Sequence, residues 1–577
     1  MNHFVLRKRD YCCGICIAEN APATAITAAG ELVRCLGATS ACVPVIRYGT
    51  PKKGEICLGA NSTSCETEEL VITVKDDILW IDGGKRGILY GVYELLERLG
   101  YRFFAEDCEV FPSAEELTMP ADTYIQDKPW FEYRCAFWYD ANAKNAPRFR
   151  FNDTCGEKVR IPDLWGGGMV YEGFAHTLGE LAELESNNGN YTGIQACMTD
   201  EKTFQTVVKN LRAKLEANPR ATIASVSQND SGGEDRGCTC PSCAAIDERE
   251  GSQMGSLLTF VNRVAEELEP DYPELAIDTL AYRYTRKAPD HLCARDNVIV
   301  RLCDIECCFS HPLDECNQTT DCVAAADDST FINTLRKWSK HCNRIYIWDY
   351  TTNFRSYQYP YPNFNALRGN ARFFADHNVR GLFEQGNYEG KNGEFGALRM
   401  YLISKLAWNP YLSEEEYQRH IDEFMAAYYG PGSAHIRRYF DRLQESAKDV
   451  HFGIYYNDPT KFFVDPDTEG TQEERAAAFL KKGREDFAAA IEGASDVQKM
   501  HIKRSAIQLD LYEYYVHFNK WDALDENDPA KKDAEDAVRT AAANMYGHIL
   551  SYDISHIYEH KNILNELPHF LEPPAIK

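Results

Sequence analysis

The chain has 577 residues, 44% hydrophobic and 26% charged, too long for one core at about 100–200 residues per domain. Its 62 basic against 88 acidic residues give a formal charge of −26, which argues against nucleic acid and against anionic membrane surfaces, since both need a basic face. No apolar run approaches the roughly 20 residues of a membrane helix, and the start, MNHFVLRKRDYCCGICIAEN, has no apolar stretch of secretory length.

Residues 1–125 read as a small α/β domain. Strand-like HFVLRKR precedes helix-like AITAAGELVRCLG; EICLGA and ELVITVKDDILWIDGG follow as strands, then RGILYGVYELLERLGYRFFA with helical spacing through Leu89, Val92, Leu95 and Leu96. Residues 126–410 alternate. Eight candidate strands occur in the order YRCAFWYD, GMVYEGF, GIQACMT, ATIASVSQ, LAIDTLAYRY, NVIVRLCD, RIYIWDY and VRGLFEQG. Helical patterns such as TFQTVVKNLRAKLEAN, LLTFVNRVAEELE and NALRGNARFFADHN lie between most of them. That alternation predicts a (β/α)8 TIM barrel, whose active site lies at the C-terminal ends of the strands. Residues 411–577 read as an α-helical domain, with EEEYQRHIDEFMAAYYG, SAHIRRYFDRLQESAKDV, EERAAAFLKKGREDFAAAI and a long run from Asp496 to Trp521. The fold class is therefore α/β, a central barrel between a small α/β domain and an all-helical one.

The barrel rule turns the sequence into a short list of candidates. The fourth predicted strand ends in Gln228, Asn229 and Asp230, followed by Ser231-Gly232-Gly233, which leaves room for a ligand. The sixth ends in Asp304 and Glu306, which alternate and so share a face if the segment is extended. The seventh ends in Trp348, Asp349 and Tyr350, and the eighth in Glu384, Gln385 and Asn387. Single carboxylates at such places also cap turns and helices. Carboxylates at four strand ends are what glycoside hydrolysis needs: one protonated carboxyl for the leaving oxygen, and one ionised group to attack or activate water. Asp230, Asp304, Glu306 and Asp349 are the catalytic candidates. Trp138, His176, Tyr282, Trp348, Tyr350, Gln228, Asn229, Glu384 and Asn387 are candidates for holding a sugar, by stacking or by hydrogen bonds.

The 21 cysteines are odd in number and include the adjacent pairs Cys12-Cys13 and Cys307-Cys308. They read as mostly free thiols of a reduced, cytoplasmic protein. Cys238, Cys240 and Cys243 form C-x-C-x2-C. With a fourth ligand from Cys307, Cys308 or His311 they would hold a structural zinc; the alternative is thiols that pack the loop. Catalysis itself calls for no cofactor.

Several stretches resemble known glycosidases. GGKRGILYGVYELLERLGYRFFAEDCEVFP is similar to the end of the small α/β domain that precedes the barrel in family 67 α-glucuronidases and family 20 hexosaminidases. ISKLAWNPYLSEEEYQRHIDEFMAAYYG is similar to the junction of barrel and helical domain in the glucuronidases. The set SVSQND, CDIECC, IWDYTTNF and LFEQGNYEG resembles the glycosidase-like DUF4838 family most of all. The resemblance implies a general acid after the fourth strand, where Asp230 stands in place of a glutamate. It implies a base after the sixth, matched by Asp304 or Glu306, supported from the seventh by Asp349. The expectation is an α-glucuronidase-like glycoside hydrolase that takes a terminal sugar, a uronic acid among the choices, from an oligosaccharide or glycoside substrate. A substrate-assisted β-N-acetylhexosaminidase and a non-catalytic carbohydrate-binding protein are the alternatives, and association into a homo-oligomer is left open.

Overall fold

The structure, a computed structural model, describes residues 3–562 apart from 39, 143–144, 155–159, 232–235, 317–329 and 392. Gly232 and Gly233 beside Asp230 therefore lie outside the described residues. The chain parts into two compact units.

The first unit comprises Met1–Ala136, Asp140–Gly168 and Ala397–Tyr428. Its six-stranded sheet runs Tyr124–Asp127, Leu70–Lys75, Ile78–Gly83, Glu55–Leu58, Gly14–Ile17, Ile46–Tyr48. The stretch ELVITVKDDILWIDGG is two strands folded back at Asp76 and Asp77, both at positive φ (56° and 63°), as a two-residue hairpin turn that follows strand twist requires. Helices Thr24–Gly37 and Gly87–Arg98 carry apolar residues at helical spacing. They bury Leu32, Leu36, Leu89 and Leu96 in one core with Ile15, Ile56 and Ile81 from the sheet.

The second unit comprises Phe137–Tyr139, Met169–Gly396 and Tyr429–Lys577. Its strands are β1 (Tyr133–Phe137, whose end belongs here), β2 (Tyr171–Glu172), β3 (Ile223–Ser225), β4 (Ala276–Ala281), β5 (Val298–Cys303), β6 (Ile345–Tyr350) and β7 (Val379–Gln385). They form one curled, parallel sheet in the order β1-β7-β6-β5-β4-β3-β2. Every residue of β4 and β5 is buried, as expected of parallel strands covered on both faces. Helices Glu201–Ala217, Met254–Leu268, Phe331–His341 and Phe364–Asp376 follow strands or loops of this sheet, and five more lie beyond Gly432.

Among the described residues this sheet has seven strands where eight were expected. GIQACMT is not a strand, and β2 pairs directly with β3. Gly193 sits at φ 79°, the Ile194 carbonyl accepts from the Asn229 amide, and the Gln195 side chain bonds both backbone groups of Asn229. The Gly193 N–H is likewise on the Asp230 carbonyl at 2.7 Å, so these bonds stand where a ladder was expected. The result is an open half-barrel; no pairing of β1 with β2 closes it among the described residues. The run from Asp496 to Trp521 is likewise two helices, Asp496–Ser505 and Ile507–Asp522, separated at Ala506. No helix among the described residues is long and apolar enough to cross a membrane.

Candidate active site

Strand register assembles the site. Asp349 on β6 and Glu384 on β7 are directly paired in the parallel ladder, and Cys303 on β5 is paired with Trp348. Asp304, one residue on, donates its backbone N–H to the Trp348 carbonyl at 3.3 Å. Residues level with one another on neighbouring strands point to the same face, so three carboxyl groups stand in a row across three strand ends. All three are buried.

Burial dominates their proton affinity, because it disfavours the charged form. It lifts Asp304 well above the usual carboxylate range, with the charges of Asp349, Glu384 and Glu306 adding to the rise. It lifts Glu384 well above as well, helped by Asp349. Burial raises Asp349 to about 7, held back by the N–H of Tyr350 and by hydrogen bonds to Glu384 and Asp304. Counted as carboxylates, both Asp304 oxygens and Glu384 Oε2 have no hydrogen-bond donor among the described residues. Protons shared by Asp349 with Glu384 and with Asp304 would satisfy them, since close carboxyl groups cannot all ionise.

Glu306 differs from its expected place. The chain turns after Asp304, with the Cys307 N–H on the Asp304 carbonyl at 2.8 Å. The segment is therefore not extended, and the two carboxylates do not alternate along a strand. Glu306 lies 3.6 Å from Arg286 Nη1, both fully buried, in an internal ion pair.

Asp230, half-buried beyond β3, accepts from the Ser231 N–H at 2.9 Å and from the Tyr282 hydroxyl at 3.3 Å, both at Oδ1. Arg283 Nε donates to that hydroxyl at 3.1 Å. Gln228 and Asn229 are buried and spend both ends of their amides on neighbours: Gln228 on the Tyr282 carbonyl and the Thr285 hydroxyl, Asn229 on the Gly179 N–H and the Ile194 carbonyl. They brace the strand end, which corrects their reading as sugar ligands. His176, at φ 56°, donates from Nδ1 to the Gln228 carbonyl at 2.9 Å, which leaves Nε2 as the acceptor nitrogen.

Trp348 is half-buried beside Phe174, Tyr350 and Phe383, with its N–H on Gln385 Oε1 at 2.7 Å. Tyr350 is buried, and desolvation pushes its phenol well up. Trp138 is only 4% exposed; its N–H binds Thr351 Oγ1 at 3.0 Å, and its ring covers Gly386 so closely that a Cβ there would lie 2.0 Å from it. It is a wall of the interior, not an open stacking platform. Asn387 is buried, and its Oδ1 accepts from the Glu389 and Gly390 N–H groups at 3.3 Å.

Sequence reasoning missed a buried pair inside the sheet. Arg301 on β5 binds Asp278 on β4 through Nε at 3.1 Å and lies 4.0 Å over the Phe174 ring. Both are fully buried. Their positions in unbroken apolar runs, LAIDTL and VIVRLC, were the available signal.

The cysteines also resolve. Cys238, Cys240 and Cys243 gather with Cys197, the four sulfur atoms within 4.8 Å of one another. Cys197 Sγ is 3.7 Å from Cys240 Sγ and 3.9 Å from Cys243 Sγ. Cys240 caps the helix Pro241–Glu250 and accepts the Cys243 N–H. The fourth thiol thus comes from GIQACMT, not from Cys307, Cys308 or His311. The edges of a tetrahedron around zinc at about 2.3 Å from each sulfur are roughly 3.75 Å, so the residues fit that metal. None of the 19 described cysteines is in a disulfide.

Fold and site together define an α/β protein whose curled parallel sheet carries clustered, buried carboxyl groups at its strand ends. Residues 103–441 match the family described as Domain of unknown function (DUF4838), and the chain belongs to that family. No curated protein matches it. Among solved structures, a family GH115 4-O-methyl-α-glucuronidase with specificity for decorated arabinogalactans superposes with a TM-score of 0.57 at 12% identity, covering 94% of this chain and 77% of that one. At that identity the likeness is one of fold. The GH20 β-N-acetylhexosaminidase from Streptomyces coelicolor A3(2) aligns with a TM-score of 0.44 at 13% identity, over 73% of this chain and 91% of that one.

Proposed function

We propose that the protein is a glycoside hydrolase that removes a terminal sugar from an oligosaccharide. The observation that carries this reading is the row Asp304, Asp349 and Glu384, which holds protons near neutrality, with Asp230 at another strand end of the same unit. Asp230 gives a proton to the leaving oxygen from its Oδ2. The row, once it carries one negative charge, takes the proton of the attacking water; its protonated members hold that charge by hydrogen bonds until the bond breaks. Trp348 and His176 Nε2 contribute contacts to the sugar, and Glu306 acts through Arg286 on the shape of the loop. The segment 126–410 is the catalytic part of the chain, between 1–125 and 411–577.

A uronic acid is the first substrate class to test, because the structural neighbour of highest similarity reported above acts on one. Cys197, Cys238, Cys240 and Cys243 hold a structural zinc that braces the segment after Asp230, with closed coordination and no part in the chemistry. The experiment is a screen of aryl glycosides and glycans, uronides first, with wild type and Asp230→Asn. Hydrolysis of one substrate that falls by about 10²–10⁴ in the variant is the expected result. Equal rates in both would remove Asp230 from the mechanism.

A further inference from the structure

A second cluster lies apart from the thiols just described and from the carboxyl row. The loop after β5 reads C-F-S-H-P-L-D-E-C from Cys308 to Cys316. Cys308, His311 and Cys316 come from it. His451 arrives from the segment after helix Ser433–Ser446. One ligand atom of each lies within 4.8 Å of all the others.

The distances have a regular form. Cys308 Sγ is 3.4 Å from His311 Nδ1 and 3.4 Å from His451 Nδ1, and Cys316 Sγ is 3.5 Å from His451 Nδ1. A tetrahedral ion with sulfur at about 2.3 Å and nitrogen at about 2.0–2.1 Å has sulfur–nitrogen edges of roughly 3.5 Å. The observed spacings are those edges. The tautomer agrees too. His311 Nε2 lies 2.7 Å from the Lys448 carbonyl, and a carbonyl only accepts, so the ring proton is on Nε2. Nδ1 is left with its lone pair facing the sulfurs, the arrangement of metal-bound histidines whose outer nitrogen is held by a backbone oxygen. One backbone and one side-chain bond hold the two segments level: Phe309 N–H to the Phe452 carbonyl at 3.0 Å, and the Ser310 hydroxyl to the Val450 carbonyl. Cys308 and Cys316 are buried, and neither is in a disulfide.

We infer that Cys308, His311, Cys316 and His451 bind Zn²⁺ as a closed, structural site. Two thiolates and two imidazoles in a tetrahedron form the donor set that selects this ion. The site ties the loop that follows Asp304 to the segment around residue 450. It stands whether or not the protein cleaves glycosides.

The test is zinc content per chain, measured on the full-length protein purified from zinc-supplemented medium under reducing conditions. Wild type, His451→Gln and the double variant Cys308→Ser/Cys316→Ser are compared with Cys240→Ser/Cys243→Ser. The Cys308 pair loses one equivalent that the Cys240 pair retains, and His451→Gln, a change at an exposed residue, loses the same equivalent to a weak chelator at least tenfold faster than wild type. Unchanged zinc in the Cys308 pair overturns the inference, and so does a wild-type protein in which both thiols react freely and no zinc is present. Should the double variant fail to fold, zinc-edge X-ray absorption on wild type decides. A first shell of sulfur and nitrogen supports the site; a shell of sulfur alone overturns it.

Discussion

In the first unit the half-buried Glu68 and Glu97 stand against cations, whereas in the second Asp304, Asp349 and Glu384 are buried against one another. Burial alone would raise Glu68 and Glu97, but Arg134 and Arg86 override it at Glu68, and Lys405 and Arg150 at Glu97, so both are held down to about 2. The row in the second unit has burial and like charges acting in the same direction. Matched charge of the first kind fixes geometry and has no proton to exchange near pH 7. Unmatched charge of the second kind costs stability and keeps protons available, which is how acid–base sites are built. Arg148 and Arg150 belong to the first kind: Arg148 meets Glu31 and Glu109, and Arg150 meets Glu94 and Glu97.

The contrast can be broken or sharpened in several ways. Asp349→Asn should lower hydrolysis of an identified substrate by about 10²–10⁴ while leaving circular dichroism unchanged; retained turnover would make the row another structural feature. Arg134→Met strands Glu68 without its bidentate partner, and denaturant titration should show a loss of about 3–5 kcal/mol. A loss below about 1 kcal/mol would place that pair with weak surface bridges.

The pH–rate profile should have its acidic limb near 7, because the row serves as base only when ionised and Asp349 is raised to about 7. A limb at 7 on the alkaline side instead would reverse the roles of Asp230 and the row. Stability should respond in opposite directions in the two units. The row binds protons more tightly folded than unfolded, so its stability is present below about 4 and is lost as pH rises through 7. Glu68 and Glu97 bind protons less tightly folded, so their contribution is present above the ordinary 4.5 and is lost as pH falls toward 2. The smallest effect follows from this sign. Glu384→Gln removes a charge from the row and should raise the melting temperature at pH 8 by roughly 2–4 °C per kcal/mol relieved, with no rise at pH 4.

Much of the candidate site was legible because apolar runs mark parallel strands, and a carboxylate at the end of such a run is conspicuous. Asp304, Asp349 and Glu384 were found in this way, and their adjacency needed only the β5, β6 and β7 order. Glu306 was misplaced because a turn at Ile305 is invisible to alternation. Gln228 and Asn229 were misread because a polar residue beside a catalytic candidate looks the same whether it faces a ligand or a backbone. Cys197 was hidden inside a stretch taken for a strand, and Asp278 and Arg301 were hidden by burial that apolar neighbours imply for themselves alone.

The sequence by itself determined the class of fold, the positions of most strands and which of them end in acid. Those features follow from local periodicity and composition, which act over ten or twenty residues. The tertiary structure alone decided which groups meet. It left the barrel open, with the Asn229 side chain on the Ile194 carbonyl and the Gln195 side chain on the Asn229 backbone where a strand ladder was expected. It set three acids level, because parallel register is fixed by packing across the sheet. It also brought His451 to Cys308 across 143 residues of chain. Contacts of that kind depend on loop closure and on the burial of distant segments, and no short stretch encodes them.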